Sequence, residues 1–448
     1  MASACASGPV PIRFLPISIL AAWLLACGAP VDTDASDAGG QDGGLEDGGG
    51  PSDGGTTDGG SSDGGGNPDG GGAGPGPYWY RDVLPVVNQN CLGCHVSGGI
   101  APFSLERYED AATLSGLLAD AVEARRMPPW NPAPGCQPYK NERRLTDAEI
   151  QLFRAWHEAG APAGDPADAP PEGPPPPPEL DRVDLVVDPG VDYTPNDQGQ
   201  NDDYRCFLID PGLTETKFIT GVHVKPGTGY MVHHVLLYGG DRADAQQLDD
   251  REPGPGWTCF GGPGTGTPET LAGWAPGTPP TYFPEGTGIA LEAGRVIVMQ
   301  VHYNFDNGPA TPDRTVVELK FADGPVQRAR MIPMPYTEFQ IPAGATDYRD
   351  GTSITLPVGA TVYGVFPHMH TLGRKISVRT QSTCLVDIQA WDFNWQQFYF
   401  FDVPGGVQLS AGETLSLDCT WDNPTDRVVT WGDGTHDEMC LNYFYATF

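Results

Sequence analysis

GVHVKPGTGYMVHHVLLYGG, residues 221–240, is the stretch whose reading decides the fold. Runs rich in Val, Ile, Tyr and Leu, broken by Gly and Pro, are strand and turn signals. The same texture recurs in GRVIVMQVHYNFDNG (294–308) and continues from Asp184 to the end of the chain. About 265 residues of this kind predict two all-β sandwiches in series. They are placed at 184–334 and 335–448, with a break near Pro333 to Pro335.

The histidines in these strands carry the chemistry. Of nine in the chain, five fall in three strand-like segments: His233 and His234 in MVHHVLL, His302 in VMQVHYNF, and His368 and His370 in VFPHMHTLG. Positions two apart on a strand share a face, so His368 and His370 can hold one metal. Adjacent His233 and His234 face opposite sides of a regular strand, and joint ligation requires a local bulge. His302, from a neighbouring strand, completes a three-imidazole set. Imidazole suits copper, iron, nickel or zinc, whereas a thioether selects Cu(I). Met439 in THDEMCLNYFYATF supplies that thioether and points to copper. His223 and His436 match neither set and are assigned to packing or hydrogen bonding.

Four segments, ITGVHVKPGTGYMVHHVLLYGG, MQVHYN, PHMHTLGRKISV and HDEMCLNYFY, together resemble the ligand motifs of the copper type II, ascorbate-dependent monooxygenases. This family includes the peptidylglycine and dopamine hydroxylating enzymes. The resemblance spans roughly residues 184 to 448 and implies two jelly-roll domains facing a solvent-filled cleft. It implies that His233, His234 and His302 bind an electron-storing copper. His368, His370 and Met439 would bind the copper where O2 reacts with a small organic substrate. Gln300 matches the family's QVHY motif, and Tyr443 a substrate-pocket tyrosine. The resemblance also implies disulfides Cys206–Cys259 and Cys419–Cys440, while Cys136 and Cys384 are left either paired or free. Where peptidylglycine enzymes grip a carboxylate with Arg and Asn, this chain has Phe366 and Leu441, which favours a less polar substrate.

Upstream, YWYRDVLPVVNQNCLGCH (78–95) ends in Cys91, Cys94 and His95, the attachment pattern of a c-type haem. Two thiols at this spacing reach the two porphyrin vinyl groups, and the next imidazole falls under the iron. Met127 in ARRMPPWNP is the axial candidate on the other face. LTDAEIQLFRAWHEAGAP predicts a helix opened by a Thr146/Glu149 capping box, with Ile150, Phe153 and Trp156 on its buried face. His157 is placed on the polar side. Residues 78–165 resemble a small, all-α class I cytochrome c domain. The run of five consecutive prolines within 166–183 predicts a stiff spacer that holds this domain near the β domains without rigid docking.

The first 26 residues, with Arg13 and the apolar run Phe14 to Ala26 before Cys27, resemble a bacterial lipoprotein signal peptide. This predicts lipidation at Cys27 and an exported, envelope-anchored protein. Residues 27–77 are almost wholly Gly, Asp, Ser and Thr and read as a flexible leash. A net charge of −33 argues against nucleic-acid binding. The expected cofactors are two copper ions and one covalent haem c, which is a candidate internal relay from an external, ascorbate-like or protein reductant. A non-catalytic electron-transfer or copper-binding role is the alternative, and reverse electron flow to the haem a third.

Overall fold

Two β-sandwiches share one long sheet. The computed structural model describes residues 76–97, 101–171, 178–196, 201–305, 308–432, 434 and 436–448. The signal segment, Cys27, nearly all of the acidic leash and most of the proline run lie outside these residues. No helix among the described residues is long and apolar enough to cross a membrane.

The long sheet runs, in spatial order, through Leu185–Val187, Val316–Phe321, Lys217–Lys225, Thr287–Leu291, Gln327–Pro335, Leu441–Thr447, Ala360–His368 and Tyr399–Phe400. A five-stranded sheet centred on Val296–Asn304 covers its first half. Alternating residues of the two layers, among them Ile219, Val235, Leu237, Ile289, Val301 and Leu319, form the first core. A four-stranded sheet, Tyr348–Thr355, Thr414–Trp421, Gly373–Thr380 and Cys384–Ile388, covers the second half. Val365, Ile376, Leu417 and Trp421 lie in that second core.

The break expected near Pro333 to Pro335 is no loop. Gln327–Pro335 is one strand, paired in parallel with Thr287–Leu291 through residues 327–329 and antiparallel with Leu441–Thr447 through residues 330–335. Pro333 and Pro335 are tolerated there because proline removes one ladder donor without preventing an extended backbone. The sandwiches are therefore joined by hydrogen bonds along a common strand.

N-terminal to them, a helical segment gathers Trp79, Val83, Val87, Leu105, Leu118, Val122, Phe153 and Trp156 into a third core. Its helix Asp147–Glu158 opens with the Thr146/Glu149 capping box and buries Phe153 and Trp156, while Ile150 is half-buried. His157 is exposed, with Nδ1 hydrogen-bonded to the Ser115 hydroxyl at 3.0 Å.

The loop after Met127 departs from the expectation of loose tethering, because it is part of the second sandwich. Ala133 N donates to Asp387 O at 2.7 Å, Lys140 N donates to Phe400 O at 2.8 Å, and Cys136 is disulfide-bonded to Cys384. Tyr139 is buried in the second core, with its hydroxyl donating to Leu385 O at 2.9 Å. Its ring meets those of Trp130, Tyr399 and Phe401. Linker length alone could not reveal this docking, since apolar side chains in an aperiodic loop carry no pattern that names their partner.

Truncating a buried aromatic leaves a cavity costing about 3–5 kcal/mol. Tyr139→Ala is accordingly expected to lower the denaturant midpoint of the second sandwich's transition. An unchanged midpoint would show that the loop is not part of that core.

Candidate metal centres

Three imidazoles converge on the five-stranded sheet. His233 and His234 lie on the strand Val232–Gly240, and His302 on the adjacent Val296–Asn304. The pairing register shifts between Val232 and His234. This irregularity turns two adjacent side chains toward the same neighbour, as an extra residue in a ladder does. Ligand atoms of the three lie within 4.8 Å of one another.

His302 Nε2 donates to Asp202 Oδ1 at 2.8 Å, which fixes the tautomer and leaves Nδ1 facing His234 Nδ1 at 3.2 Å. Asn304 Nδ2 also donates to Asp202 Oδ1, at 3.0 Å, and the Tyr204 ring stacks on His302 at 4.0 Å. His233 Nδ1 is buried without a hydrogen-bond partner among the described groups. Burial depresses all three pKa values, that of His233 to about 3, with positive charge on neighbouring histidines adding to the effect for His233 and His234. Neutral imidazoles that present a lone pair are the form a metal ion requires. An imidazole whose other nitrogen donates to a carboxylate is the usual support for such a ligand.

The second set sits at the end of the long sheet. Ala360–His368 ends at His368, so His370 lies just beyond the strand rather than within it. Met369, between them, is buried in the second core, which sends His368 and His370 away from that core together. His368 Nδ1 is hydrogen-bonded to Gln396 Oε1 at 2.5 Å, and His370 Nδ1 to Asp437 O at 3.1 Å, which fixes the orientation of both rings. Burial lowers the pKa of both, that of His368 to about 3. Met439 is buried two residues before Leu441, the register partner of His368.

Glu438 joins these pieces. Its carboxylate is completely buried and accepts from His370 N at 3.0 Å, Leu372 N at 2.6 Å, Met439 N at 3.2 Å and Trp421 Nε1 at 3.1 Å. Burial pushes its pKa up to about 7 against the opposing pull of those donors. Disulfide Cys419–Cys440 closes the same corner, and Cys206–Cys259 flanks the three-imidazole set. Gln300 donates to Cys259 O at 2.6 Å and so supports that disulfide loop.

Tyr443 pairs in register with Phe366, their rings 6.4 Å apart, and Phe398 lies 5.1 Å from Phe366. Burial raises the Tyr443 pKa. These rings form an aromatic wall beside His368, where a cation and an amide would be needed to hold a carboxylate. His223 stands apart with Glu179 and Glu318, whose carboxylates are bridged by Lys225 at 2.9 and 3.0 Å. His436 is exposed, and its backbone carbonyl accepts from Arg427.

In the helical segment Cys91 and Cys94 are both unpaired, and burial raises the Cys91 pKa to about 12. His95 is buried, with Nδ1 hydrogen-bonded to Phe103 O at 3.0 Å, which leaves Nε2 as the available donor atom. Cys91 and Met127 pack against the same helical core. Met127, Trp130, Arg144, His233, Thr371 and Phe393 line one cavity of about 830 Å³, which extends from the helical segment to the three-imidazole set.

Sequence reasoning missed Asp202, Gln396, Glu438 and Phe393. Asp202 stands at a strand end opposite the HYN segment, and Glu438 adjoins the proposed thioether. Gln396 and Phe393 lie in the aperiodic run WDFNWQQF, which carries no signal of its own.

Comparison with known proteins gives the same assignment to both sandwiches. Residues 194–309 match the N-terminal domain model, and residues 326–446 the C-terminal domain model, of the copper type II ascorbate-dependent monooxygenases. DBH-like monooxygenase protein 2 of Mus musculus is 26% identical over 245 residues, covering 48% of this chain and 38% of the mouse protein. Tyramine beta-hydroxylase of Caenorhabditis briggsae is 22% identical over 253 residues, covering 50% of this chain and 41% of its own. The chain thus spans about two fifths of the length of these relatives. Among solved structures, the major capsid protein P2 of bacteriophage PM2 aligns at 12% identity and a TM-score of 0.27, covering 59% of this chain and 97% of its own.

Removing a group that orients a ligand typically costs about 10–100-fold in metal affinity. Asp202→Ala is expected to weaken copper binding at the three-imidazole set by that factor and to leave the other set unaffected. Competitive copper titration with site-resolved electron paramagnetic resonance measures both. Equal affinities at both sets in the variant and the parent would show that Asp202 has no such role.

Proposed function

Through residues 194–309 and 326–446 this chain belongs to the copper type II ascorbate-dependent monooxygenase family, and from that premise we propose that it is a two-copper hydroxylase. It inserts one oxygen atom of O2 into a C–H bond of a small organic substrate and releases the other as water, consuming two electrons and two protons. The observation that carries this reading is the orientation of the histidines. His302, His368 and His370 each have one ring nitrogen fixed by a carboxylate, amide or carbonyl oxygen, His302 Nδ1 faces His234 Nδ1, and His233 keeps a buried nitrogen without a partner.

His368, His370 and Met439 would hold a copper ion that would supply one-electron chemistry toward O2, and His233, His234 and His302 would hold one that would store the second electron. The protein's part is to prepare those places. Burial keeps the imidazoles neutral, Asp202 and Gln396 fix ring orientation, and Glu438 ties the Met439 strand to the turn that carries His370. The thioether makes the mixed nitrogen and sulfur set favour the reduced ion more than the all-nitrogen set does. That difference supports assigning oxygen chemistry to the Met439 side. Phe366, Phe398 and Tyr443 favour an apolar or aromatic substrate without a carboxylate.

In this reading Cys91 and Cys94 would attach a c-type haem, His95 and Met127 would hold its iron, and the group would supply electrons to the copper. The free thiols, the His95 Nδ1 bond to a backbone carbonyl and the cavity shared by Met127 and His233 support it. An external reductant, ascorbate-like or a redox protein, would supply the electrons. Lipidation at Cys27 and an exported, membrane-anchored location complete the reading and rest on the leader sequence.

Two measurements test it. Met439→Ala should lose nearly all reductant-dependent O2 consumption while keeping the resonance signal of the three-imidazole copper. Equal rates in variant and parent overturn oxygen chemistry at this site. For the relay, stopped-flow reduction of the haem should be followed by loss of the copper(II) signal. A haem that stays reduced beside oxidised copper rejects it.

A further inference from the structure

The ring of Phe393 meets an imidazole of each ligand set. It stacks on His233 with centroids 4.9 Å apart and planes 23° apart, and it meets His370 edge-on at 6.1 Å and 78°. His233 belongs to the first sandwich and His370 to the second. We propose that Phe393 is a positioning residue that sets the separation of the two copper ions. This inference rests on the two-copper reading.

The loop that carries the ring is built to hold it still. Trp391 N donates to Arg374 O at 2.8 Å, and Trp391 Nε1 to His370 O at 3.2 Å. Gln396 Nε2 donates to Phe393 O at 2.8 Å while its Oε1 meets His368 Nδ1, so a single side chain links the loop's tip to a proposed ligand. Trp391 approaches closely because residue 373 is glycine. A Cβ there would lie 2.9 Å from both Trp391 Cδ1 and Met369 Cβ, nearer than real contacts allow. From the other side, Asn131 Nδ2 donates to Trp395 O at 2.9 Å. The loop is thus fixed to both ligand sets and to the segment that follows Met127.

A ring in contact with imidazoles of both sets keeps the two sandwiches from closing further or drifting apart at the site.

The test uses the full-length, copper-loaded protein. In the dicopper(II) state the wild type should give one narrow inter-copper distance by dipolar electron paramagnetic resonance. Phe393→Ala should retain both coppers yet lose that narrow distance in favour of a broad distribution. It should also release more hydrogen peroxide per O2 consumed, as oxygen reduction separates from hydroxylation. Phe393→Tyr restores the narrow distance, and Phe393→Leu, which fills space without a ring, behaves like the alanine variant. If Phe393→Ala fails to load copper, the Leu and Tyr pair gives the same readout. A distance distribution unchanged in the Ala or Leu variant overturns the role of Phe393. A wild type without two coupled coppers overturns the two-copper reading itself, so the two failures are distinguishable.

Discussion

One strand governs the geometry of this molecule. Gln327–Pro335 pairs at its start with a strand of the first sandwich and then with the terminal strand of the second, so the ladder crosses between them without a hinge. Backbone hydrogen bonds inside a sheet are costly to break when no water is at hand to replace them. Two sandwiches joined by a free linker could rotate against each other, whereas two that share a strand cannot without losing ladder bonds. The terminal strand leads back within two residues to Met439, and its other neighbour ends at His368. One ligand set is therefore fixed to the shared sheet, and the other faces it from the covering sheet of the first sandwich.

Within that frame, the electrostatic problem is to hold five histidines close together. Charged, they would repel and would also lose hydration. Burial removes the charge, as the depressed pKa values of His233 and His368 show. The ring nitrogens are then aimed by acceptors of modest strength, a carboxylate for His302, an amide for His368 and a carbonyl for His370. Only His302 has a full carboxylate partner. The electron-storing site in the proposed division thus has the more basic imidazole, and the oxygen site the softer, less basic environment.

Much of this was legible in the sequence, for reasons that differ by feature. Strand texture, the five clustered histidines and the thioether in HDEMC could be read because local pattern determines them. The need for a bulge at His233 and His234 followed from two-residue periodicity alone, and the register shift after Val232 supplies it. What could not be read depends on contacts across long stretches of chain. The partner of Cys136 lies 248 residues away. A proline pair that reads as a domain break turned out to lie within the shared strand, because an extended backbone tolerates proline where one ladder donor can be spared. Asp202 and Glu438 are ordinary acidic residues in an acidic chain, and only burial beside a ligand distinguishes them.

Docking of the segment after Met127 changes what the N-terminal region can be. A domain on a stiff spacer samples many distances from its target, and its transfer rate averages over them. Here the segment is held by the Cys136–Cys384 bridge, by the burial of Tyr139 and by backbone bonds to Asp387 and Phe400. Asn131 also reaches the loop that carries Phe393. Met127 and His233 open on one cavity as a result. A redox group on the helical side would then face the copper sites at a fixed distance, and its efficiency would depend on the packing of this segment rather than on the spacer. The same contacts give the helical region a mechanical hold on the loop that meets both histidine sets, so that the helical region and the arrangement of those sets are coupled through one short stretch of chain.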